Sequence, residues 1–197
     1  MKSVYFATGN KGKYESWKKT LKQYGICLVH EHFKFDKELD STDLTEIASD
    51  KAIKAYYKIK KPVISVDSGF YIKSLNGHPG SKVNPFLKKY KLEEILSLVE
   101  GNDRYCRFEQ CIAYFSAGMN MPKVFKSYTE GVFSEKPRGS TRGKKYLWSK
   151  LSKIFIPNGE SKTLAEMSKE EFLVWRVKRG NNSVAVKFGK WYSNKNL

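Results

Sequence analysis

Three short stretches carry residue types that could do phosphate chemistry. The first is Thr8-Gly9-Asn10, followed by Lys11 and Lys13. A strand that ends in a glycine turn and feeds a helix exposes several backbone N–H groups at one point, and the helix dipole adds partial positive charge there. The neighbouring lysines can meet phosphate oxygens as point charges. The full P-loop pattern is lacking, so two readings stand, a phosphate cradle and an ordinary tight turn. The second stretch runs from Val63 to Gly69, an apolar strand that delivers Asp67 at its C-terminal end, with Ser68 and Gly69 after it. Ligands of open α/β sheets gather outside the carboxyl ends of strands. Asp67 is therefore placed either to hold a metal and activate water or to cap the next turn. In the third stretch Glu38, Asp40 and Asp43 lie close together. They suit Mg2+ beside a phosphate site, or they form a solvated acidic loop.

The other candidates are basic or aromatic. Lys136, Arg138, Arg142, Lys144 and Lys145 surround two glycines, as in a mobile loop that closes over an anion or a plain exposed turn. His30, His32 and His78 show no catalytic or metal spacing; His30 and His32 share one strand face and read as structural or solvent-facing. Most aromatics fall on faces that a core needs.

These residues must be positioned by regular elements. Val4–Ala7 is a continuous apolar run, a strand buried on both faces. Tyr14, Trp17, Leu21 and Tyr24 recur at helical spacing, with Gly25 as the stop. Ile26–Val29 restarts as a strand. Asp43 with Glu46 three residues on resembles a capping box, opening a helix whose buried face carries Leu44, Ile47, Ala48, Ala52, Ala55 and Tyr56. Pro62 closes it, and Val63–Val66 is the next strand. Later, Leu92, Ile95, Leu96 and Val99 mark a helix, and Tyr105–Phe115 and Val124–Phe133 pair as a hairpin. A short strand stops at Pro157, Thr163–Trp175 reads as a helix, and Ser183–Phe188 as a strand or helix. The alternation predicts an α/β protein with a mixed sheet and helices on its faces.

The chain of 197 residues suits one domain, 1–197, built as two lobes. No leader and no apolar run long enough to span a membrane are read in it. Cys27, Cys106 and Cys111 have neither zinc-like nor redox spacing and read as reduced core thiols of a cytoplasmic protein. Lysine and arginine number 37 against 20 acids, a net charge of +17. That excess attracts polyanions, a nucleotide or a nucleic acid, or it reflects scattered surface lysines.

Taken in order along the chain, these pieces resemble the inosine triphosphate pyrophosphatase family, which hydrolyses non-standard purine triphosphates such as ITP, dITP and XTP. Thr8, Gly9, Asn10 and Lys13 match its opening motif. Asp67, Ser68, Gly69, Leu75, Asn76, Gly77, Pro79 and Gly80 match its central one, and Pro137-Arg138-Gly139 follows. Ile154, Phe155, Pro157, Gly159, Thr163, Ala165, Glu166 and Met167 match the last.

The resemblance implies a long mixed twisted sheet flanked by helices, two lobes with the active-site cleft between them, and a homodimer. It implies that Thr8, Gly9, Asn10, Lys13, Ser68 and Gly69 bind the triphosphate, that Asp67 and Lys13 are catalytic, and that Glu38 and Asp67 hold Mg2+, with Asp40 a rival to Glu38. Three departures from the family accompany it. Val66 replaces the first acid of a pair, Ser149–Lys153 replace a glycine-aromatic-acid segment, and Arg176-Val177-Lys178 replace a serine-histidine-arginine that reads the purine. The base end of the site, with Lys153, Arg176 and Lys178, is thus rewritten and more cationic. The leading expectation is a Mg2+-dependent nucleoside triphosphate pyrophosphatase with altered base preference. The second is a catalytically weakened nucleotide- or nucleic-acid-binding protein on the same fold.

Overall fold

The computed structural model describes all residues other than 1, 10, 34, 36, 37, 145, 148, 181, 182, 196 and 197. The fold is α/β. Its mixed sheet has seven strands in the order β2-β1-β3-β5-β6-β7, with the short β4 paired to β3. The strands are β1 (Lys2–Ala7), β2 (Ile26–Glu31), β3 (Val63–Ile72), β4 (Pro79–Gly80), β5 (Tyr105–Phe115), β6 (Lys123–Phe133) and β7 (Phe155–Pro157). The helices are α1 (Lys11–Lys22), α2 (Leu44–Ile59), α3 (Val83–Lys89), α4 (Leu92–Ser97), α5 (Lys169–Lys178) and α6 (Val184–Lys195). The chain divides into two compact units. Among the described residues no helix is long and apolar enough to cross a membrane.

The first unit comprises Met1–Ser68, Gln110–Ser127 and Asn181–Leu197. Here β1 runs parallel to β2 on one side and to β3 on the other, with Tyr5, Phe6 and Ala7 opposite Val63, Ile64 and Ser65. Parallel neighbours need crossover helices, which α1 and α2 supply. In β1 Val4, Phe6 and Ala7 are buried, whereas Tyr5 is half-buried. Val4 and Phe6 pack with Trp17 and Leu21 of α1, Ile64 and Val66 of β3, and Val184, Phe188 and Tyr192 of α6. Asp43 caps α2, its carboxylate accepting from Thr45 N–H at 2.7 Å. Glu46 does not close the expected box: it accepts from Ser41 Oγ at 2.6 Å instead.

The second unit comprises Gly69–Glu109 and Tyr128–Gly180. Its core is aromatic, with Phe70, Phe108, Phe133 and Phe155 in mutual ring contact. The start of β5 meets the end of β6 as the hairpin requires, Phe133 N–H donating to the Arg104 carbonyl at 3.0 Å. The expected helix from Thr163 begins later, at Lys169. Ser168 and Glu171 form a reciprocal capping box there, and residues 164–166 are a turn.

Two further expectations change. The last element is helical, because Val184, Ala185, Phe188, Gly189 and Tyr192 form one buried stripe at helical spacing. Of the three cysteines, Cys106 and Cys111 are core thiols but Cys27 is exposed on β2.

Candidate active site

The expected strand tip at Asp67 is replaced by a longer strand: β3 continues to Ile72, so Asp67 and Ser68 are mid-strand. The tip that matters belongs to its neighbour. β1 ends at Ala7, opposite Ser65, and Asp67 lies two residues beyond that last pair, on the same face of the strand as Ser65. The carboxylate therefore emerges where the parallel pair stops, next to the turn at Thr8-Gly9. Thr8 is buried and its carbonyl is 2.9 Å from His30 Nε2. Tyr14 stacks on that imidazole at 4.7 Å. His30 is thus a structural brace for the turn, as its spacing suggested. Gly9 is exposed, and Asn10 lies outside the described residues.

Two lysines converge on β3. Lys13, from the first turn of α1, donates to Ser68 Oγ at 3.2 Å. Lys51, from α2, donates to Asp67 Oδ1 at 3.0 Å and meets Glu38 Oε1 at the same distance. Lys51 is buried, with its stem among Ala48, Ala52 and the other apolar residues of the inner face of α2. Sequence reasoning missed it, although its position was the signal: a lysine stands within the Leu44-Ile47-Ala48-Ala52-Ala55 stripe, where a cation persists only with a partner.

Burial pushes the Asp67 carboxyl above its ordinary value, against the opposing pull of Lys51 and Lys13. Burial alone would lower Lys51, but Asp67 and Glu38 outweigh it and hold the ammonium above the usual lysine value. Lys13 is lowered, first by burial and further by Lys51, with Asp67 opposing. The result is one carboxylate held by two cations, one of which gives its proton up more easily than usual.

Glu38 and Asp67 are the metal candidates. Their oxygens are hard donors that already share one ammonium, and Mg2+ is commonly held by one or two carboxylates plus substrate phosphates. Among the described residues no group of three or more His, Cys, Asp or Glu is gathered that could hold a metal ion, so an ion at this pair of carboxylates would take the rest of its shell from substrate phosphates and water. Glu38 and its rival Asp40 are both exposed, and Asp43 serves as the cap of α2.

The remaining candidates belong to the second unit. Lys153 is half-buried, its carbonyl accepting from Arg138 N–H at 2.8 Å. Arg176 and Lys178 are exposed on α5. The next residue, Arg179, is the more constrained cation. It stacks over Trp175 at 4.9 Å and donates to the Tyr128 carbonyl at 3.3 Å. Burial, with Arg176 nearby, brings its pKa down to about 10. Gly69 is buried, and a Cβ there would stand 2.7 Å from the Gly80 carbonyl oxygen, so its side-chain-free backbone is needed for strand pairing.

The basic loop is anchored. Arg138 pairs with Glu166 at 3.3 Å, and Lys144 Nζ donates to the Ala165 and Met167 carbonyls at 2.7 and 2.8 Å. Gly139 lies so close that a Cβ would sit 2.4 Å from the Ala165 carbonyl carbon. The Pro-Arg-Gly and Ala-Glu-Met motifs are two halves of one clamp. Lys145 lies outside the described residues.

In this α/β fold the middle of β3 and two helices bring together an acid, two lysines and a hydroxyl, a set of groups able to meet anions. The family follows from comparison: the Ham1 family profile matches residues 4–174, and the chain belongs to that family. It is 36% identical over 193 residues to a dITP/XTP pyrophosphatase of Methanopyrus kandleri, covering 97% of this chain and 96% of that one. It is 35% identical over 166 residues to the dITP/XTP pyrophosphatase of Saccharolobus solfataricus, covering 83% and 81%. The fold is that of the Ham1 protein structure from Coxiella burnetii, with TM-score 0.76, 21% identity and 98% of both chains covered. The Staphylococcus aureus Ham1 structure gives TM-score 0.72 at 23% identity over the full length of both.

Proposed function

We propose that this chain hydrolyses a non-standard purine nucleoside triphosphate, of the dITP, ITP or XTP type, to the monophosphate and pyrophosphate. The observation that carries the reading is the Lys51–Asp67 pair beside Lys13 and Ser68, in a chain similar over nearly its whole length to dITP/XTP pyrophosphatases.

In this reading Thr8, Gly9, Asn10, Lys13, Ser68 and Gly69 hold the phosphate tail. Asp67 orients a water and takes its proton. The water oxygen forms a bond to the α-phosphorus as the bond to the bridging oxygen breaks, and pyrophosphate leaves. Lys51 keeps Asp67 ionised and aimed. Glu38 and Asp67 would hold Mg2+, which when bound neutralises charge on the phosphate oxygens. At the base end, Lys153, Arg176 and Lys178 are the cations that the sequence supplies, and Arg179 is the better candidate of α5 because it is partly buried and fixed by stacking. Replacing the family's base-reading residues with these changes which purine is preferred, since a lost polar pairing shifts discrimination by orders of magnitude. Buried free thiols suit a reducing cytoplasm, and a homodimer is the assembly implied by the resemblance.

The test is pyrophosphate release from dITP, ITP, XTP and the ordinary triphosphates, with Mg2+ and with a chelator. Release from at least one deaminated purine triphosphate, lost on chelation and in Asp67→Asn, is expected. Silence on every substrate with Mg2+ present would overturn the reading and favour a nucleotide-binding protein on the same fold.

A further inference from the structure

The first unit carries a second basic feature that plays no part in the reaction. The segments Gln110–Ser127 and Asn181–Leu197 contain five lysines and no Asp or Glu. Helix α6 packs against α1, and a Cβ on Gly189 would stand 2.4 Å from the ring of Tyr24 in the turn that follows α1. The solvent side of α1 presents Lys11, Lys18, Lys19 and Lys22 with one acid, Glu15, on the same stripe, and α6 adds exposed Lys190 and Lys195. Among the described residues no carboxylate lies in ion-pair range of these six lysines. Some lysines elsewhere are paired with a carboxylate, as in Lys54–Asp50, Lys73–Asp103 and Lys162–Glu171; what marks this face is the number of its lysines gathered on two packed helices with a single acid among them.

Aromatic rings lie among these cations. Lys18 sits over Tyr14 at 5.5 Å, and Lys195 over Trp191 at 5.2 Å. The solvent sides of the two helices expose no large apolar residue. A membrane-surface helix inserts an apolar face and a protein partner buries anchor side chains; this surface offers neither. What it offers is uncompensated positive charge spread over two rigid helices, the complement of a phosphate backbone.

We infer that the α1–α6 face is a nucleic-acid-binding surface, reading the sugar-phosphate backbone without sequence preference. It is separate from the catalytic cluster, since the outward lysines of α1 lie on the opposite side of the helix from Lys13. Triphosphate hydrolysis does not depend on it.

The experiment measures binding of the full chain to a short fluorescein-labelled DNA, single-stranded and duplex, across a salt series. Three proteins are compared. One is the wild type, and one carries Lys18→Gln, Lys19→Gln, Lys22→Gln and Lys190→Gln together. The charge-matched control carries Lys61→Gln, Lys88→Gln, Lys89→Gln and Lys169→Gln. The wild type should bind with affinity falling more than ~10-fold between 50 and 200 mM salt. The α1–α6 variant should lose at least ~10-fold in affinity and about three from the salt slope. The control should keep the wild-type slope within about one. Both variants should retain wild-type melting and pyrophosphatase activity. Absence of wild-type binding at 50 mM salt, equal loss in the control, or binding of phosphatidylserine vesicles without binding of DNA would each overturn the inference.

Discussion

The Lys51 ammonium and the Asp67 carboxylate lie 3.0 Å apart, and the same ammonium reaches Glu38 at 3.0 Å. Burial drives Asp67 toward its neutral form, and Lys51 is the main opposing influence. Lys51→Met should therefore do more than remove a charge. It should leave two carboxylates facing each other without the cation between them, and raise the Asp67 pKa further. The fraction of Asp67 ionised at neutral pH then falls. The expected result is a loss of about 100-fold or more in kcat, with the acid limb of the kcat profile moved to higher pH. A variant with reduced kcat but an unmoved acid limb would assign Lys51 to packing alone.

Asp67→Asn keeps the shape of the side chain and an oxygen that can accept from Lys51. Turnover should drop by roughly 1,000-fold while the melting temperature stays close to wild type, since the substitution also removes a desolvated charge. Steady-state kinetics and calorimetry on the same preparation separate the two effects. Comparable turnover in wild type and variant would move the catalytic acid elsewhere.

Lys13 should set the alkaline side of the reaction. Its pKa is lowered from 10.5, chiefly by burial, so the cation that holds phosphate is lost as pH rises, before an ordinary lysine would deprotonate. Activity is therefore full below the lowered pKa and fails above it. Lys13→Arg, charged throughout this range, should flatten the alkaline fall in kcat/KM even if its absolute activity is reduced. An identical fall in both proteins would exclude Lys13 as its origin.

Two glycines with nearly the same backbone angle should behave differently. Gly139 (φ +77°) would drive a Cβ into the backbone of Ala165, whereas Gly143 (φ +74°) has nothing within 4 Å. Gly143→Ala should cost about 1 kcal/mol for its left-handed conformation, and Gly139→Ala roughly 3 kcal/mol or more because backbone must also shift. Denaturant titrations of the pair give the difference directly, and equal losses would show that the clamp yields to a methyl group.

Much of this was legible in the sequence. The strand-helix-strand-helix-strand opening is written in apolar runs and helical spacing, and the motif residues Lys13, Asp67 and Ser68 do converge. The misses have physical causes. Val63–Val66 reads as a complete strand because Asp67, Ser68 and Gly69 carry turn chemistry, yet sheet pairing extends β3 through them. Lys51 was passed over because polarity is the usual sign of a solvent face, and only tertiary partners reveal a buried cation. The basic loop reads as a mobile loop or an exposed turn because its glycines and charges say nothing about Ala165 and Met167, which arrive from about twenty residues further on. The Glu46 box failed because Ser41 offered a competing donor.

The distribution of thiols makes the chain easy to instrument. Cys106 and Cys111 are buried, and burial pushes the Cys106 thiol well up, so neither is readily alkylated. Cys27 alone faces solvent, on the strand at one end of the sheet order. A maleimide dye or spin label added to the unaltered protein should attach there and nowhere else, giving a single reporter at a known position without a cysteine-free background.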